Sequence, residues 1–339
     1  MAKIVVNRII NHTYAQHDPD ILLQDTVIPF DCYIKRYADY VIIIEAGTYI
    51  SAALLQKISS NEKIYILASD TEKLQTYHIA HDYCYSIKND AVTMEEAINA
   101  ASDLPNALSE IVTNEEKFSF VYATSATLME TIFDSGQEQL PVSAIYTCME
   151  QLVTSVNLET NAVGLLFKNI SGEYTAYYHS TNVAFLAVIL ATKLGLSEED
   201  RIGVGHAGLL HDIGKIKIDQ ELLLKASYLE DNEFEIIKQH SEYGYIILKN
   251  NGITDKKVLD GVHFHHENLN GSGYPKGLRG KLIPKYAKIV GVCDAFDALT
   301  TKRTFRDSYT SYEALIVMKR EMALQFDEHY IGVFIKLLQ

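Results

Sequence analysis

The chain has no tryptophan, and its 339 residues include only four cysteines and six prolines. Cys32, Cys84, Cys148 and Cys293 are scattered, with neither the paired spacing of a structural zinc site nor a disulfide framework. That usage fits a reducing compartment and removes thiolate from the candidate metal ligands. No stretch rich in proline, glycine and serine marks a linker, and there is no low-complexity segment or internal repeat. Positive charge is also short: 30 Lys and Arg stand against 44 Asp and Glu, a net charge of −14. Nucleic-acid polymers and anionic membrane surfaces need a basic face, so neither is an expected partner. A small anionic substrate stays open, provided that metals and a few local cations reverse the field at its site. Long apolar runs are missing too. The longest, Ala184 to Leu196, is interrupted by Thr192 and Lys193 and is too short to span a bilayer, so it reads as a buried helix. No N-terminal segment joins a charged start to an apolar middle and a small-residue cleavage site. Export and membrane insertion are therefore not expected, and a cytoplasmic location is.

What is present suffices for sizeable cores. With 47% apolar and 22% charged residues, a chain of this length is expected to be globular and to hold two domains. Residues 1–93 mix strand and helix signals and predict a small α+β domain of sensory or regulatory type. Strands are expected over Tyr33–Tyr37 and Tyr40–Ile44, joined by a turn at Ala38-Asp39, and over Lys63–Leu67. Ser51 is a candidate cap for a short helix from Ala52 to Ile58. His78, His81 and Asp82 could share a helix face at metal-type spacing, although a solvated face is the favoured reading. Asp70, after the third strand, resembles the acceptor of a receiver domain, but the alternating strand–helix order such a domain needs is missing.

Residues 94–158 carry helical signals over 94–101, 125–133 and 142–156 and are expected to form a helical connector. Ser135-Gly136 breaks this run and Pro141 suits the next helix start. From 159 to 339 the pattern is almost wholly helical. Helices are expected over 176–194, from the Ser197 cap to His211-Asp212, over Asp231–Leu248, up to Val262–Glu267, and over Pro284–Leu299. A Gly-rich loop, Asn268–Lys281, precedes the last of these.

The chemistry gathers in this half. His211 and Asp212 put an imidazole and a carboxylate at one point of a helix, where they can bind one metal ion or bridge two. Gly214 is read as the residue that ends this helix, and Lys215 as a mobile charge just beyond it. His179, His240, the tandem His265-His266 and Asp294 fall on other helices of the same region. Singly, each is more often a core or surface residue. Set together on one helical scaffold, they point to a metal site, and imidazole with carboxylate suits iron, manganese or zinc.

Four motifs, HDIGK, HSEYGYIIL, HHENLNGSGYPKGL and VCDAFDALTTKRTFR, occur in this order over residues 173–339. They resemble the HD-GYP family, a branch of the HD superfamily of metal-dependent phosphohydrolases. Members hydrolyse the second messenger cyclic di-GMP, and some act on related cyclic dinucleotides. The resemblance implies an all-α HD-type domain over 159–339 with a dinuclear metal centre. It implies hydrolysis of cyclic di-GMP to pGpG, or on to GMP, by a metal-bridging hydroxide.

By the same resemblance, His179, His211, Asp212 and Asp294 hold one metal. Asp212 bridges to a second, held by His240, His265 and His266. Lys215 contacts the scissile phosphate, and Gly273, Tyr274 and Pro275 wall the site. Arg303 and Arg306 match positions that help an anion or brace that loop. The implied ions are two divalent metals, iron or else manganese, and the implied partner is cyclic di-GMP or a related dinucleotide. A homodimer and signalling-protein partners stay open. Thr175 stands where members with a third metal have Glu, and Asn270 where Asp is common; neither change touches the implied ligand set. The alternative is an effector that binds cyclic dinucleotides with little turnover. A different nucleotide-acting HD hydrolase is disfavoured by the HHE…GYP loop.

Overall fold

The computed structural model describes residues 13–23, 26–28, 30–36, 39–46, 48–50, 52–58, 63–71, 73–74, 92–111, 113–159, 161–169, 175–225, 229–301 and 308–337. The chain divides into two units, Met1–Ala91 with Glu110–Val112, and Val92–Ser109 with Thr113–Gln339. Among the described residues no helix is long and apolar enough to cross a membrane.

The first unit is built on a four-stranded antiparallel sheet, in the order β1 (Tyr14–His17), β6 (Ile64–Leu67), β3 (Cys32–Arg36), β4 (Asp39–Ile44). A second sheet pairs β2 (Thr26–Val27) with β5 (Tyr49–Ile50), and a single helical turn, α1 (Ala52–Leu55), follows it. Ile28, Phe30, Cys32, Ile50, Ile64 and Ile66 form its buried core. The sequence located β3, β4 and β6 but missed β1, whose Tyr14-Ala15-Gln16-His17 lacks the β-branched residues that mark a strand. Antiparallel pairing separates this unit from a receiver domain, whose sheet is parallel. Asp70 lies in a 3-10 turn and pairs with Lys73 at 2.9 Å.

The second unit is helical: α2 (Met94–Glu110), α3 (Asn114–Ser135), α4 (Val142–Leu158), α5 (Ala162–Asn169), α6 (Ala176–Lys193), α7 (Glu198–Leu210), α8 (Gln220–Leu223), α9 (Asp231–Lys238), α10 (His240–Asn250), α11 (Lys256–Phe264), α12 (Lys285–Thr300), α13 (Ser311–Arg320) and α14 (Glu328–Leu337). At its centre is α6, buried without interruption from His179 to Ala191 and packed on α3, α7 and α12. A helix that is apolar on every side has no solvent face to offer, so neighbours must surround it. Helix α3 starts eleven residues before the segment expected from sequence. Its start is a reciprocal capping box between Thr113 and Glu116. Helices α3 and α4, expected as part of a connector, pack on α6 and α7 within this unit.

Two local expectations are corrected. The helix expected over Asp231–Leu248 is two helices, broken at Gln239, and at the break the His240 ring takes the Ile237 carbonyl as its partner. Gly214 does not end a helix: α7 stops at Leu210, and Gly214 lies within a 3-10 turn, Ile213–Lys217, packed on α10. Its glycine identity answers a close approach instead. A Cβ there would sit 1.9 Å from the His240 carbonyl oxygen and 2.5 Å from the Gly244 nitrogen. Gly214→Ala is therefore expected to destabilise the second unit by about 1–3 kcal/mol, the usual cost of overpacking. A urea midpoint equal to wild type would contradict this contact.

Candidate metal centre

Each potential ligand is set at a helix end or on a buried helix face. His179 lies in the first turn of α6, whose cap is Thr175, the acceptor of the Tyr178 backbone N–H at 3.2 Å. His211 and Asp212 follow the end of α7, His240 opens α10, and His265-His266 follow α11. Asp294 projects from α12. Five elements thus converge on one interior point, where His211, Asp212, His240 and His265 are at most 2% exposed.

The ligand atoms fall into two groups. Those of Asp212, His240, His265 and His266 lie within 4.8 Å of one another, as do those of His179, His211 and Asp294. The Asp212 carboxylate stands between the groups. Its Oδ1 is 3.4 Å from His240 Nε2, while its Oδ2 is 3.3 Å from His211 Nε2 and 3.7 Å from His179 Nε2. Asp294 reaches both sides, 3.1 Å from His179 Nε2 and 3.7 Å from His266 Nδ1.

Hydrogen bonds behind the rings fix their tautomers. Nδ1 of His211, His240 and His265 meets the carbonyls of Gly208, Ile237 and Val262 at 2.7, 2.7 and 2.8 Å. A carbonyl only accepts, so each Nδ1 carries the proton and each Nε2 turns a bare lone pair inward. Two consequences test whether a cation fits. The Nε2 atoms of His240 and His265 face each other at 3.3 Å with no proton to share. The Nε2 of His211 is buried without any hydrogen-bond partner. Both arrangements are unfavourable unless a Lewis acid accepts the lone pairs, and the imidazole–carboxylate set suits a divalent transition metal.

Electrostatics agree. Burial pushes His240 down to about 4 and His266 to about 3, and holds His265 well below its ordinary value, aided by neighbouring imidazoles. Burial alone would raise the Asp212 and Asp294 carboxyls. Lys215 is foremost in outweighing it at Asp212, and the contact with His179 at Asp294, leaving both well below the usual range. At neutral pH His240, His265 and His266 are therefore neutral and the two carboxylates ionised, the forms that bind metal. Lys215 Nζ lies 2.5 Å from Asp212 Oδ2, so its ammonium turns into the site.

Tyr274 forms a wall, its ring 4.6 Å from that of His266 and 6.2 Å from that of His240. Gly273 lets this loop close: a Cβ there would meet the His266 carbonyl oxygen at 2.3 Å and the Asn268 nitrogen at 2.5 Å. The Tyr274–Pro275 peptide is cis. Asn270 keeps a turn-forming role, its side-chain oxygen accepting from the Ser272 backbone at 3.0 Å and hydroxyl at 2.7 Å. Arg303 and Arg306 lie outside the described residues, as do His78, His81 and Asp82.

Residues 167–329 match the family model described as HD domain. Over 189 residues the chain is 34% identical to a cyclic di-GMP phosphodiesterase of Pseudomonas aeruginosa, covering 56% of this chain and 45% of that protein. The helical half carries an HD domain and resembles the HD-GYP branch of that family. A 3'3'-cGAMP-specific phosphodiesterase of Vibrio cholerae is 29% identical over 236 residues, 69% of this chain and 48% of its own. The chain thus spans about half the length of the curated relatives it matches. In fold it is similar to an HDG"Y"P protein from Bdellovibrio bacteriovorus, with a TM-score of 0.57 at 19% identity over 96% of this chain and 99% of that one.

The HD-GYP segment also carries supporting residues that motif reading passed over. Asp297 Oδ2 holds His179 Nδ1 at 2.7 Å, and Asn182 donates to Asp297 Oδ1 at 2.9 Å. Tyr122, from α3 and outside the matched segment, donates to Asn182 at 2.6 Å. Glu267 is buried, and its carboxylate accepts the backbone N–H groups of Lys276 and Leu278 at 2.7 and 2.8 Å, tying down the far side of the Tyr274 loop. Spacing could have found Asp297 and Asn182, each three residues past a predicted ligand on the same helix face. Nothing local signals Tyr122. Asp297→Asn is expected to weaken metal binding about 10- to 100-fold while leaving helical circular dichroism intact, because it acts through the orientation of His179. Competition against a chelator measures this, and unchanged affinity would remove Asp297 from the support of the site.

Proposed function

We propose that this chain hydrolyses a cyclic dinucleotide, cyclic di-GMP in the first place, to the linear product pGpG. The observation that carries the reading is the Asp212 carboxylate, set between two groups of inward-facing imidazoles with the Lys215 ammonium at its edge. The sequence similarity to phosphodiesterases named for cyclic di-GMP and 3'3'-cGAMP supports the substrate class.

In this reading His179, His211, Asp212 and Asp294 hold one divalent ion, and Asp212, His240, His265 and His266 a second. Iron is the expected metal and manganese the alternative. When bound, such ions lower the pKa of water and neutralise phosphoryl oxygens. The chain's own groups do the rest. The four carbonyl- and carboxylate-anchored imidazoles hold their lone pairs in place, so little reorganisation is needed as charge develops. Lys215 is mobile enough to leave Asp212 for a phosphate oxygen, and a compact ammonium suits a point of growing negative charge. Tyr274 and the loop clamped by Glu267 shelter one side of that phosphate. No side-chain nucleophile is required.

Two substitutions separate binding from catalysis. Asp212→Ala is expected to remove both ions and all turnover, because one carboxylate serves both groups. Lys215→Ala is expected to keep metal content near wild type and to lower turnover by roughly ten- to a thousand-fold, the range for losing one charge-stabilising group. Metal analysis and cyclic di-GMP hydrolysis, normalised to bound metal, decide both. Normal metal content in the Asp212 variant would refute the bridging role. Unchanged turnover in the Lys215 variant would remove that residue from the chemistry.

A further inference from the structure

Phe234 is a large apolar side chain left 44% exposed on α9, a helix that has no buried residue. Its surroundings set it apart from a scattered surface residue. The ring lies 6.4 Å from that of Tyr274 in an edge-to-face arrangement, and Tyr274 in turn lies 4.6 Å from His266. Lys238 Nζ sits 4.7 Å above the Phe234 ring and 5.7 Å from the Tyr274 ring, held on its other side by Glu235 at 2.6 Å. A cation placed over both rings fixes their mutual orientation, and Phe234 stays 44% exposed beside it. The result is a path from the imidazole cluster, across the Tyr274 wall, to an exposed aromatic surface bordered by an ammonium.

A dinucleotide whose phosphodiester rests at the imidazoles must put its bases somewhere beyond them. Bases bind proteins by stacking on aromatic side chains when they are not paired, and each stack is worth about 1–3 kcal/mol by alanine substitution. We propose that Phe234 is the platform on which one nucleobase of the cyclic dinucleotide stacks, with Lys238 bracing the ring. The proposal rests on the function proposed above and names a substrate-binding residue that the ligand motifs do not include. Stacking by a phenyl ring is tolerant of base identity, so Phe234 supplies affinity for purine dinucleotides as a class. It does not choose between guanine and adenine.

The test compares wild type, Phe234→Ala and Phe234→Trp as full metal-loaded chains. Three substrates are used: cyclic di-GMP, a cyclic dinucleotide carrying 2-aminopurine, and methyl p-nitrophenyl phosphate, which has no nucleobase. Phe234→Ala is expected to raise KM for cyclic di-GMP by about 5- to 150-fold, the equivalent of one lost stack, with kcat within a few-fold of wild type. Phe234→Trp is expected to restore KM, and hydrolysis of the methyl ester is expected to be the same in all three. Stacking quenches 2-aminopurine fluorescence on binding, and Phe234→Ala is expected to lose that quench. A KM and a quench unchanged in Phe234→Ala would overturn the proposal while leaving the phosphodiesterase reading standing. Equal loss on the methyl ester would also overturn it, because damage would then extend to the metal cluster. A wild-type chain that cleaves the methyl ester but no cyclic dinucleotide would refute the underlying reading, and this proposal with it.

Discussion

The second unit is organised around the burial of ionised carboxylates. Asp212 and Asp294 lose their water and yet stay charged, and removing such a group from water costs several kcal/mol unless partners compensate. Lys215 offsets part of that cost from 2.5 Å. His240, His265 and His266, held neutral by burial, have lone pairs to give and no positive charge. Two carboxylates against the Lys215 ammonium leave a negative excess, which the two divalent cations of the proposed centre would reverse. The same step explains how a chain of net charge −14 could hold a phosphodiester: the attraction is local, made by what the carboxylates collect.

The rest of the helical unit can be understood as holding that arrangement still. Backbone carbonyls released where α7, α9 and α11 end or break are the partners of His211, His240 and His265. Helix ends leave carbonyls without intrahelical donors, so a helix that stops at a histidine supplies both a ligand and its anchor. His179, in the first turn of α6 where no such carbonyl is free, uses Asp297 instead. Tyr122 then ties Asp297 through Asn182 to α3, so a helix that precedes the HD match takes part in positioning His179.

Motifs and helix order in the HD-GYP half were legible because they are local: His211-Asp212, His265-His266 and the GYP loop are contiguous, and caps such as Ser197 are read from one turn. Features that depend on packing were not. The break at Gln239 answers the need to bring His240 inward, and a propensity reading cannot see that need. Gly214 looked like a helix stop and is a contact with the His240 carbonyl, because the approach of α10 is a tertiary fact. Asp297 was within reach of spacing, whereas Tyr122 lies 57 residues before His179 and carries no motif. The first unit was read only as α+β, and its edge strand β1, poor in β-branched residues, escaped notice.

The central claim is that Asp212 lies between two metal ions and that Thr175, occupied in capping α6, leaves no carboxylate for a third. Crystals of the chain grown with manganese(II), with anomalous scattering recorded at the metal edge, test it most directly. The account predicts two anomalous peaks per chain, one on each side of the Asp212 carboxylate. A single peak, a third fully occupied peak beside Thr175, or peaks that do not share Asp212 would contradict it.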